Sequence, residues 1–129
     1  MKKKILIVLA NYYKDISHGL LSNSKKFIPK SLNVKVIEVP GVFEIPITIK
    51  KNIKKYDAFI ALGCVIKGQT PHFDFISQSS INAIMNLSVD NNKPIGNGII
   101  TCLNLKQAKA RKKKGAEATK AILSVLTQK

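Results

Sequence analysis

The chain has 129 residues, 45% of them hydrophobic, and a formal net charge of +15 at pH 7. That length suits one domain over residues 1–129 with a sizeable core, burying about two-thirds of its unfolded surface. Apolar runs of about nine residues exclude a bilayer span, and two cysteines, Cys64 and Cys102, form neither a disulfide framework nor a metal set.

The opening Met1-Lys-Lys-Lys4 before Ile5-Leu-Ile-Val-Leu9 imitates a secretion signal. The apolar part is short, however, and Asn11-Tyr-Tyr-Lys-Asp15 stands where a small-residue cleavage site would be. Lys4 to Ala10 therefore reads as a first strand, and the protein as cytoplasmic. Ile16, Leu20, Leu21, Phe27 and Ile28 are spaced along one helical face that ends by Pro29. Val34 to Val39 is a second strand, closed by Pro40-Gly41. Phe43 to about Ile53 follows as a helix, with Pro46 in its first turn, where a missing N–H costs little.

Ala58 to Val65 is a charge-free third strand. A Lys67-Gly-Gln-Thr-Pro71 turn leads to a helix over His72 to about Val89, with Phe75, Ile76, Ile81, Ile84, Met85 and Leu87 as its apolar set. Ile95 to Cys102 is the fourth strand, its Gly96 and Gly98 keeping one face thin. Leu105 to Arg111 and Ala116 to Leu126 are two closing helices separated at Lys114-Gly115. Strands alternating with helices, the strands apolar throughout, predict a three-layer α/β/α sandwich around a four-stranded parallel, flavodoxin-like sheet. Right-handed crossovers then bring the loops after the strands to one edge, where such sheets bind ligands.

Of the 22 basic residues, 21 are Lys and they are scattered. Lys suits solvated surface, whereas base and phosphate forks favour Arg, so the charge predicts no nucleic-acid partner. Arg111-Lys-Lys-Lys114 could seat RNA, but it lacks interleaved aromatics, and a solvated turn explains it equally well. The single Arg111 is either a chance retention or a planar fork for a phosphate. Glu44 either complements a helix dipole or serves a ligand. His72 either begins a helix structurally or acts as an acid–base group beside a helix N-terminus that can hold an anion.

Three segments together decide between these alternatives: Pro40-Gly-Val-Phe-Glu-Ile-Pro46, Gly63-Cys-Val-Ile-Lys-Gly-Gln-Thr-Pro-His-Phe-Asp-Phe75 and Pro94-Ile-Gly-Asn-Gly-Ile-Ile-Thr101. In order and spacing they resemble the 6,7-dimethyl-8-ribityllumazine synthase family, over nearly the whole chain. The resemblance implies condensation of 5-amino-6-(ribitylamino)uracil with 3,4-dihydroxy-2-butanone 4-phosphate, the penultimate step of riboflavin synthesis, with no metal or organic cofactor. It implies that Tyr12 stacks on the pyrimidine ring and that Val42, Phe43 and Glu44 hold the ribityl chain and pyrimidine edge. Backbone groups of Cys64, Val65 and Ile66 would read the uracil, and Asn97 would contact the pyrimidine. Gln69, Thr70 and Arg111, with Lys114, would hold the phosphate, while His72 would transfer protons.

The resemblance further implies a homo-oligomer, a pentamer with its sites between subunits, in which Tyr12 and the phosphate loop come from different chains. Departures from the family pattern are a shortened Lys112-Lys-Lys114 turn, Tyr13 in place of a common Asn, Asn97 in place of a common aromatic, and a start directly at the first strand. The first and last of these, with the charge, predict pentamers that stop short of a capsid.

Overall fold

A computed structural model of the chain describes residues 2–128. Four strands, β1 (Lys4–Ala10), β2 (Asn33–Val39), β3 (Ala58–Ile66) and β4 (Ile95–Cys102), form one parallel sheet in the order β2-β1-β3-β4. The helices are α1 (Lys14–Lys26), α2 (Ile45–Lys51), α3 (His72–Asn91), α4 (Leu105–Ala110) and α5 (Lys114–Leu126), and Val42–Glu44 makes a 3-10 turn ahead of α2.

The two faces of the sheet carry two cores, as the two-residue period of a strand requires. Ile5, Ile7 and Leu9 of β1, with Ile60 and Leu62 of β3, pack beneath α1 and α5 through Ile16, Leu20, Ala118 and Ile122. Leu6 and Val8, with Phe59 and Ala61, pack on the opposite face against Ile45 and Ile49 of α2 and Ile84 of α3. Burial on both sides explains why the central strands β1 and β3 read as unbroken apolar runs. Each such fully buried Leu or Ile contributes roughly 1.5–3 kcal/mol. At the outer edge, β2 is exposed over Asn33 to Lys35. A Cβ at Gly96 would stand 2.4 Å from the Ala118 carbonyl oxygen, so the bare strand lets α5 lie directly on β4.

Two expectations are corrected. The closing helices do not part at Lys114-Gly115: the break lies at residues 111–113, and Lys114 already opens α5. Gly115 there lies so close to α1 that a Cβ would meet the Leu20 carbonyl oxygen at 2.1 Å, which holds the residue inside a packed helix. The apolar set of α3 is not one buried face either. Ile84 is buried and Ile76 and Leu87 are partly so, but Phe75 and Met85 are 63% and 61% exposed. Helix α3 thus covers the sheet with a narrow stripe and turns large apolar side chains outward.

Candidate active site

The carboxyl ends of the strands gather most of the chemistry-bearing residues. After β1 the chain is tied down at several points. The Asn11 N–H donates to the Val39 carbonyl at 2.9 Å, and the Asn11 amide donates to Glu38 Oε1 at 3.0 Å. Ser17 on α1 donates its hydroxyl back to the Ala10 carbonyl. These bonds fix the two-tyrosine loop, and Tyr12 stands 74% exposed at its tip. After β2, the turn at Val42–Glu44 presses against β3 at Gly63, where a Cβ would meet Val42 Cγ2 at 2.7 Å. A side chain at Gly63 would push the Val42 turn off the strand.

Strand β3 ends differently from its neighbour. Its pairing with β1 runs only to Leu9 with Leu62, whereas its pairing with β4 continues to Ile66 with Cys102. Beyond Gly63, β3 therefore has a partner on one side only. Backbone N–H and C=O groups of Cys64 and Ile66, which face the β1 side, are left for another partner, since such groups seek hydrogen bonds, whereas those of Val65 face β4. The strand runs one residue beyond the expected end at Val65.

Next come Lys67, Gly68, Gln69 and Thr70, all exposed, and then α3 begins at His72 behind Pro71. The His72 N–H points to Thr70 Oγ1 at 3.4 Å. The first turn of this twenty-residue helix offers N–H groups and a partial positive charge beside the loop. Tyr12, Val42, Cys64, Val65, Ile66 and His72 converge on one hollow of about 260 Å³, joined by Tyr13, Gly41 and Ile76. Gln69 and Thr70 border it in sequence without lining it.

The remaining expected residues lie elsewhere on the subunit. Phe43 and Glu44 open onto a separate hollow of about 450 Å³, with Pro46, Ile47 and residues of α3. Asn97, Arg111 and Lys114 line a third, of about 500 Å³, beside the unpaired edge of β4. There Arg111 Nη1 donates to the Thr101 carbonyl at 3.1 Å, which anchors the guanidinium at the end of β4. Asn97 Oδ1 accepts from the Ile99 N–H at 3.0 Å. Lys114 Nζ lies 3.8 Å from Glu117 Oε1, an exposed pair of small energetic worth. Lys113, not singled out in the sequence, lines the same hollow. Tyr12 and His72 thus share one wall of the subunit, apart from the hollow lined by Asn97, Arg111 and Lys114.

Among the linings that sequence reasoning missed, Ile76 carried a signal, since it lies one turn from His72 on the same face of α3. Tyr13 carried one only in its deviation from the family pattern. Burial, followed by the neighbouring Cys64 and Tyr12, raises the pKa of the Tyr13 hydroxyl above the usual tyrosine value. Burial and then the neighbouring Cys102 push the Cys64 thiol up to about 12, so at the floor of the hollow it is a neutral, inert wall and not a nucleophile. Among the described residues, no group of three or more His, Cys, Asp or Glu side chains could hold a metal ion, and no helix is long and apolar enough to cross a membrane.

Fold and crevice together define a parallel α/β protein with a candidate ligand crevice at the strand ends, lined by an aromatic, one-sided strand backbone and a helix N-terminus. Comparison with known proteins narrows the class. A protein-family model described as 6,7-dimethyl-8-ribityllumazine synthase matches residues 2–129. Proteins carrying that name include one from Agrobacterium fabrum, 40% identical over 99% of this chain and 95% of its own. Another, from Methylorubrum populi, is 40% identical over 98% of this chain and 82% of its own. A third, from Bartonella bacilliformis, is 44% identical over 86% of this chain and 76% of its own. The chain belongs to the 6,7-dimethyl-8-ribityllumazine synthase family. It is accordingly a transferase-type enzyme of riboflavin biosynthesis, in agreement with the resemblance carried by its three motifs.

Proposed function

We propose that this chain forms 6,7-dimethyl-8-ribityllumazine at a site completed by two subunits, each contributing one of the two walls described above. The convergence of Tyr12, the one-sided end of β3 and His72 on a single hollow carries this reading. A flat pyrimidine stacks on Tyr12 while its polar edge meets the segment Cys64, Val65 and Ile66, taking the free backbone of Cys64 and Ile66. Val42 walls the ring, and Phe43 and Glu44, on the next hollow, receive the ribityl chain. The phosphate of the butanone lies on Gln69, Thr70 and the α3 N-terminus, and a neighbour supplies Arg111, with Lys114 in support and Asn97 toward the pyrimidine.

The chemistry follows from those contacts. The aryl amine condenses with the ketone and expels one water, phosphate leaves, and the ribitylamino nitrogen closes the second ring on the remaining carbonyl with loss of a second water. Each stage moves a proton, and an imidazole can both accept and donate one. Holding the leaving phosphate between N–H groups and a guanidinium stabilises the charge that develops on it. Aligning two substrates contributes an entropic advantage of up to roughly 7–11 kcal/mol in favourable systems. The reaction as drawn needs no cofactor.

The separation of the two walls supports a homo-oligomer, and the family resemblance favours a pentamer of single-domain subunits working in the cytoplasm. The three-residue link from α4 to α5 and the +15 charge per subunit oppose further packing into a shell. Light scattering at physiological salt reads this as a mass near five times 14.2 kDa; a megadalton particle contradicts it. The activity is tested by mixing purified protein with both substrates and following the fluorescent lumazine. No product above the uncatalysed rate would refute the assignment.

A further inference from the structure

We propose that Tyr13 is a positioning residue that holds the Tyr12 ring ready to stack on the pyrimidine. This rests on the reading of Tyr12 as the stacking residue. Tyr12 is 74% exposed, so little of the protein restrains its side-chain rotamer. Its aromatic contact is with Tyr13: the two centroids are 4.9 Å apart and the rings lie at 78°, an edge-to-face arrangement. Tyr13 itself is well anchored. It packs against the core cluster that includes Ile16, Cys64 and Cys102, it stands at the N-cap of α1, and its carbonyl accepts the Ser17 N–H at 2.9 Å. A half-buried ring fixed to core and helix thus presses on an exposed ring that has no other aromatic support. The Tyr13 hydroxyl is held harder to ionise than an ordinary tyrosine, first by burial and then by Cys64 and Tyr12, which agrees with that placement.

The consequence is specific to one substrate. A ring already held in place loses less rotamer freedom when the pyrimidine stacks on it. Tyr13 therefore acts on the pyrimidine and leaves the phosphate-bearing substrate and the chemical step alone. The hydroxyl has no part in this; the ring does.

Steady-state kinetics on Tyr13→Phe and Tyr13→Leu, alone and combined with Tyr12→Ala, test the inference. Leu keeps the core filled, and circular dichroism verifies the fold. Tyr13→Phe should keep the pyrimidine KM within about twofold, whereas Tyr13→Leu should raise it about three- to tenfold with kcat and the butanone phosphate KM unchanged. In the Tyr12→Ala background Tyr13→Leu should add nothing. An unchanged pyrimidine KM, an equal rise for both substrates, or an effect undiminished in the Tyr12→Ala background each overturns it. Independently of turnover, the chain has only three tyrosines, and ring-labelled Tyr12 should lose its ring-current shift in Tyr13→Leu; an unshifted Tyr12 in the unsubstituted protein overturns the positioning role. Unsubstituted protein that stacks the rings yet forms no lumazine would instead count against the assigned reaction.

Discussion

Replacing Arg111 by Lys preserves a positive charge and removes a fork, and the structure predicts a loss confined to one substrate. Arg111 Nη1 is engaged with the Thr101 carbonyl at 3.1 Å, so the guanidinium is braced while its remaining N–H groups are free for an anion. A Lys at this position has a single ammonium, which cannot grip phosphate oxygens with two parallel N–H bonds while staying tied to Thr101. The loss is about one charge-assisted hydrogen bond, roughly 1.5–3 kcal/mol. Because residue 111 is exposed on the single subunit, the lower part of that range applies. It corresponds to a rise of roughly 10–30-fold in the KM for the butanone phosphate. The pyrimidine KM should stay within about threefold, since the fork does not touch that ring. Initial rates from lumazine fluorescence, with one substrate saturating and the other varied, read both constants. An equal rise in both would make Arg111 a strut between β4 and α4 and refute its role as the phosphate grip.

His72→Ala should lower kcat by roughly tenfold or more, with an unchanged circular dichroism spectrum, because general acid–base groups contribute up to about 10²–10⁴ and substrate alignment survives their loss; an unchanged rate removes His72 from the proton transfers. Gly115→Ala should lower the melting temperature by roughly 5–10 °C, since its Cβ would meet the Leu20 carbonyl oxygen of α1 at 2.1 Å and overpacking against backbone costs about 1–3 kcal/mol. An unshifted melt would mean that α1 and α5 part at no cost. The Cys64 thiol, raised by burial and by Cys102 to about 12, has a folded value above the unfolded one near 8.5. Its contribution to stability is thus complete below about pH 8.5 and is lost as pH climbs toward 12. Denaturant melts between pH 7 and pH 10.5 should show Cys64→Ala losing less stability than the unsubstituted protein; parallel losses would contradict the burial of that thiol.

The sheet was legible because β1 and β3 are short apolar runs, while Pro40-Gly41 closes β2 and Pro94 precedes β4. The structure keeps the bounds of β1 and β4 as read and extends β2 by Asn33 and β3 by Ile66. Helix α3 runs past the expected end at Val89 to Asn91, because its stop is the left-handed Asn92, φ 54°. An Asn in an Asn-rich stretch gives little warning of that. The Lys114-Gly115 break was misread because Gly normally signals a helix end, whereas here it is needed for close contact with Leu20 on α1. Hydropathy likewise could not separate the buried Ile84 from the exposed Phe75 and Met85. At the site, residues adjacent in sequence were found together, as with Cys64, Val65, Ile66 and His72. The distribution of the rest over separate hollows depends on the register of β3 with β4 and on the course of α3, which no local motif records.

Under the proposed function, one site joins the Tyr12–His72 wall of one subunit to the Arg111 wall of the next. Subunit mixing tests it most directly. His72→Ala and Arg111→Ala proteins, each impaired alone, are unfolded together in equal amounts, refolded and assayed for lumazine. In a closed ring with one wall from each neighbour, about a quarter of the sites receive both intact walls by chance. Activity should therefore recover to roughly a quarter of the unsubstituted level, well above either variant. A mixture no more active than the mean of the two variants would place both walls in one chain and contradict the account.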